Sequence, residues 1–60
     1  MDDAARLNQL RHDVANPLSA LLAEVQLLLL DESRLAPEVS ASLRLIEEQA
    51  FRIRVLLHDT

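Results

Sequence analysis

The sequence predicts an all-α protein, an antiparallel helical hairpin that pairs with a second copy of itself into a four-helix bundle. Three observations predict it. Apolar residues recur at spacings of three and four along two stretches, and a single polar break ending in a proline separates those stretches. A chain of 60 residues also buries only roughly 60% of the surface its unfolded form exposes, so a lone core of this length is marginal.

The first stretch carries Leu7, Leu10, Val14, Leu18, Leu21, Val25 and Leu28 on one side of a helix spanning about residues 3–30. At 1.5 Å per residue it is on the order of 40 Å long, too long for a compact monomer of this size. Asp2 or Asp3 can cap its start, where a carboxylate accepts a free backbone N–H and suits the positive end of the helix dipole. A loop at about 31–36 follows, Asp31-Glu32-Ser33-Arg34 and then Leu35-Ala36. Pro37 opens the second helix, to about residue 58, at the position where a missing N–H costs nothing. In it Val39, Leu43, Ile46, Ala50, Ile53 and Leu57 alternate in steps of four and three, a coiled-coil-like seam. Glu38, Arg44, Glu47, Glu48, Arg52 and Arg54 are expected away from that seam. So short a connection makes the helices antiparallel neighbours, and one hairpin leaves each stripe half covered, hence the expected homodimer. Residues 1–60 read as one domain without repeats or linkers.

Composition narrows the chemistry. The chain has no Cys and no Gly, which removes disulfides, thiolate zinc sites and the glycine-rich loops that let a backbone approach a nucleotide's phosphates. No cofactor is expected within this segment, and two His residues alone do not make a structural metal site. A net charge of −4 with interspersed signs argues against nucleic acid and anionic membranes as partners. The longest unbroken apolar run, Leu27 to Leu30, is far short of the roughly 20 residues that span a bilayer, so direct membrane insertion is not expected. Asp2 and Asp3 stand where a basic leader would, and the expected location is cytoplasmic.

One segment is not explained by packing. Pro17 lies well inside the first helix and deletes the hydrogen bond to the carbonyl of Asp13, at about 3 kcal/mol in an ordinary helix interior. At 100° per residue His12 projects away from Leu10 and Val14, while Asn16 and Ser19 fall within about 40° of it. A His, an amide and a hydroxyl therefore share an exposed face, with Asp13 beside the His. Below them come Ala20 and Ala23, small enough for a partner helix to approach closely, and then Leu27 off the main stripe. His58 lies near the end of the second helix and reads as a cation complementing the helix dipole.

The run Arg11-His12-Asp13-Val14-Ala15-Asn16-Pro17-Leu18 resembles the phosphoacceptor box of sensor histidine kinases, in which His is followed by an acidic residue, two variable positions, Asn or Thr, Pro and Leu. The hydrophobic helix, the short polar loop, the Pro-Glu start of the second helix and its Val55-Leu56-Leu57-His58-Asp59 end extend the likeness. It covers essentially the whole chain, which resembles the HisKA-type dimerisation and histidine phosphotransfer domain of bacterial two-component signal transduction.

The resemblance implies a phosphoprotein with transferase activity. His12 would be the nucleophile, phosphorylated from ATP, with magnesium, held in a separate catalytic domain, and would pass the phosphoryl group to an Asp of a response regulator receiver domain. Asp13 would orient the ring as general base, accepting the N–H of the nitrogen that does not attack. Asn16 would position water when the kinase acts as a phosphatase, and Pro17 would bend the helix so that His12 meets both partners. The face of Ser19, Ala20, Ala23 and Leu27 would dock those partners. Two other readings stand beside this one, a non-catalytic dimeric helical adaptor and a stand-alone histidine phosphotransferase relay.

Overall fold

In the computed structural model, which describes residues 2–59, two helices pack side by side as a hairpin. Helix α1 runs Asp3–Leu29 and α2 runs Pro37–Asp59, with a 3-10 turn at Glu32–Arg34 between them. The start of α1 is capped by Asp2, whose side chain accepts from the Ala4 N–H at 3.0 Å, and Asp3 adds negative charge to the first turn. α1 continues through Pro17 without interruption. It ends one residue before the apolar pattern does, with Leu30 as cap, its N–H shared between the carbonyls of Gln26 and Leu27 at 3.1 and 3.3 Å.

The reversal is made without a left-handed residue: no described residue has a positive φ. A chain lacking glycine would strain at the left-handed position that commonly ends helices. Here Asp31 leaves the helix at φ −122° and ψ 64°, the 3-10 turn follows, and Leu35 is extended at φ −98° and ψ 144°. Ala36 then offers its carbonyl to the N–H groups of Val39 and Ser40, both at 3.0 Å, and Pro37 opens α2.

The turn is fastened to α2 by Glu32. Its Oε1 accepts from the Ser40 hydroxyl at 2.7 Å and from Arg44 Nε at 2.9 Å, and its Oε2 accepts from Arg44 Nη2 at 3.2 Å. The two-pronged Arg44 contact, and secondarily the Ser40 hydroxyl, hold the Glu32 carboxyl below its usual range, and the same contact raises the Arg44 guanidinium.

The buried residues are Leu18, Leu22, Val25 and Ala50, with Leu57 packed against Leu18, Leu22 and Ala50. Half-buried Ala15 and Leu29 extend the line on α1, and half-buried Leu43 and Glu47 extend it on α2. Two expectations are corrected. The stripe read on α1 included Leu7, Leu10, Leu21 and Leu28, all exposed, and it omitted Leu22, which is 3% exposed. Glu47, placed on the solvated face, lies toward α1, where its Oε2 accepts from Gln26 Nε2 at 3.4 Å.

One physical reason covers both corrections. A leucine-rich helix carries two apolar lines turned roughly 50° from each other, and a single partner helix covers only one. α2 does likewise: Leu43, Ala50 and Leu57 turn inward while Val39, Ile46 and Ile53 stay exposed. The uncovered lines meet on one side of the hairpin, where Leu21, Leu45, Ile46 and Ile53 edge a groove of about 280 Å³ floored by Leu18 and Ala50.

Candidate functional site

His12 lies exposed on the first half of α1, half a turn around the helix from Leu21. It therefore stands on the side of the hairpin away from the apolar groove. The run Ala4 to Val14 is helical because Asp2 caps it and no β-branched cluster interrupts it, and the following Pro17 sits at an exposed position. The Asp13 carbonyl lacks the amide donor that Pro17 cannot supply, so that face of α1 is more open to hydrogen bonding than a regular turn.

A second groove, of about 240 Å³, runs between the start of α1 and the end of α2, and His12 is on its edge. Arg11, Ala15 and Ser19 line it from α1, and Arg54, Leu57 and His58 line it from α2. Among the described residues no carboxylate lines it, although the chain has ten acidic residues. The Nε of Arg11 is buried with no hydrogen-bond acceptor among the described residues. Arg54 has its guanidinium carbon 5.9 Å from the centre of the Phe51 ring, one turn back, a cation–π arrangement. The two ion pairs among the described residues use other arginines, Arg34 with Asp31 and Arg44 with Glu32.

The sequence-based site residues are distributed unevenly around this groove. His12 and Ser19 border it, whereas Asp13 lines a different surface together with Arg6 and Gln9. The expected contact from Asp13 to the His12 ring is absent. The Asp13 Oδ1 instead accepts from Gln9 Nε2, one turn back, at 3.0 Å. Asn16 is exposed one turn beyond His12, and Ala20, Ala23 and Leu27 are exposed along the same outward face.

Arg11, Arg54 and His58 were not foreseen beside His12. Only the packing register of the hairpin brings the end of α2 alongside the first turns of α1. The sequence carried no signal for it: Arg54 was placed on the solvated face of α2, and it is exposed in the structure while lining the groove.

Among the described residues no group of three or more His, Cys, Asp or Glu could hold a metal ion, and no helix is long and apolar enough to cross a membrane. Compared with protein-family models, curated proteins and solved structures, the chain finds no match in any of the three.

Proposed function

We propose that this chain is the dimerisation and phosphoacceptor segment of a two-component sensor histidine kinase, with His12 as the residue that carries the phosphoryl group. The observation that supports the reading best is placement. The His-Asp-x-x-Asn-Pro-Leu run puts His12 exposed on one side of the hairpin while the uncovered apolar lines lie on the other. A second hairpin can cover those lines and leave His12 accessible to other domains.

The chemistry follows from the ring. One nitrogen of neutral imidazole has a free lone pair and the other carries a proton. The lone pair forms the N–P bond to the γ-phosphorus of ATP as the bond to the bridging oxygen breaks, and ADP leaves with that electron pair. The ring then releases the proton of its other nitrogen to Asp13, once Asp13 has turned away from Gln9. In the second transfer a carboxylate oxygen of the receiver domain forms a P–O bond, the N–P bond breaks, and its electron pair returns to the ring, which takes up a proton. Asn16 orients water for the reverse, phosphatase role. Ser19, Ala20, Ala23 and Leu27 offer an exposed surface for the catalytic and receiver domains. ATP and magnesium belong to the catalytic domain, where the metal neutralises phosphate charge.

The test is incubation with a histidine kinase core and γ-labelled ATP. Acid-labile label is expected on the wild-type chain and not on His12→Ala, and label that persists in His12→Ala overturns the assignment. If neither chain takes label from the core or from a small phosphoryl donor, the adaptor reading replaces it.

A further inference from the structure

We propose that Arg11 and Arg54, with His58 at the rim, form a seat for a phosphoryl dianion beside His12, so that the site binds the transferred group as well as reacting with it. The proposal deepens the phosphoacceptor reading and rests on it. Three features of the groove converge. It is edged by the candidate nucleophile; it draws one arginine from each helix; and no carboxylate among the described residues lines it, in a chain with ten acidic residues.

A phosphoryl group presents three anionic oxygens, and arginine presents paired N–H donors that match them in geometry and charge. Arg54 enters the groove from α2 and Arg11 from α1. The two arginines come from different helices, and the seat exists only while the ends of the hairpin are packed together. Anything that shifts α2 along α1 therefore changes the affinity of the site for phosphate without touching His12.

The experiment has two arms on the 60-residue chain. In the first, inorganic phosphate is titrated into the wild-type protein while the arginine Nε–H resonances are followed by NMR. Saturating shifts are expected for Arg11 and Arg54, with little change at Arg6 and Arg52, and chloride at equal ionic strength should not reproduce them. Uniform shifts of all arginines overturn the proposal. In the second arm, phosphoramidate is the donor. Its P–N bond breaks, ammonia leaves with the electron pair after taking a proton, and the His12 ring nitrogen bonds to phosphorus. Arg11→Gln and Arg54→Gln are each expected to slow phosphohistidine formation about tenfold, the worth of one charge-assisted hydrogen bond, with Arg52→Gln unchanged.

The outcomes separate the two ideas. Selective shifts with no phosphorylation of His12 keep the anion seat and remove the phosphoacceptor reading. Phosphorylation of His12 at equal rates in all three variants, with no selective shifts, keeps the phosphoacceptor and removes the seat. The first arm uses unaltered protein, so it decides even if a variant folds poorly.

Discussion

Leu22 and Ala50, 3% and 2% exposed, are the most enclosed residues of the seam and touch across it. With so few buried side chains, each carries a large share of the packing. Leu22→Ala is expected to cost about 2–4 kcal/mol, read as a lower urea midpoint, because it removes buried methyl groups and leaves a cavity. Ala50 has a different job, since its short side chain allows the helices to approach. Ala50→Leu should destabilise by about 1–3 kcal/mol through overpacking rather than stabilise by added apolar area. On the proposed phosphoacceptor face, the Gln9 to Asp13 hydrogen bond competes with any service Asp13 gives His12. Asp13→Asn is expected to slow phosphorylation by the kinase core about 100-fold or more, as loss of a general base does, whereas Gln9→Ala should not slow it. Equal rates for Asp13→Asn and wild type would remove Asp13 from the mechanism.

Among the elements, α1 carries a built-in defect and the turn a built-in fastening. Pro17 lies mid-helix and exposed, so Pro17→Ala restores an N–H for the Asp13 carbonyl and should raise thermal stability. The gain is about 3 kcal/mol at most. If Pro17 serves presentation of His12, the same variant loses phosphotransfer while it gains stability, and the two measurements made on one sample distinguish a functional bend from a tolerated one. The fastening is the Glu32 clamp on Ser40 and Arg44. Its carboxyl is held lower in the folded chain than in the unfolded one. The clamp therefore contributes stability above the ordinary glutamate value and loses it as pH falls through the lower folded value. A melting series from pH 6 down to pH 2 should show Glu32→Gln losing less stability on acidification than wild type.

At the scale of the whole molecule, the hairpin exposes more surface than its size calls for. It measures 50 × 15 × 11 Å with a Cα radius of gyration of 14.8 Å, against about 10 Å for a compact domain of this length. Its accessible surface of 4811 Å² exceeds by roughly 800 Å² the value of about 4,000 Å² expected for a compact monomer of this size. That excess equals what one partner contributes to a standard protein interface. Part of it lies in one groove, edged by Leu21, Ile46 and Ile53 at 48, 45 and 42% exposure. Sedimentation equilibrium is expected to give twice the chain mass for the wild type. The double variant Leu21→Glu with Ile46→Glu should give a monomer with much reduced helicity, and a wild-type chain that stays monomeric at high micromolar concentration would sink the four-helix bundle.

The sequence by itself determined the local order: two helices, the polar break, the Asp cap, Pro37 at the head of α2, and an exposed His12 opposite the apolar residues. These follow from short-range rules of period, capping and backbone geometry, which act within a few residues and are written directly in the chain. What only the tertiary structure decided is which of two neighbouring apolar lines the hairpin covers, and which distant residues it gathers. Periodicity could not choose between Leu21 and Leu22, because both belong to apolar stripes of the right period and only the axial register of α2 selects one. Nor could it place Arg54 and His58 beside His12 or turn Asp13 toward Gln9. Those contacts join residues more than forty positions apart, or depend on which neighbour wins a shared side chain, and both are settled by packing.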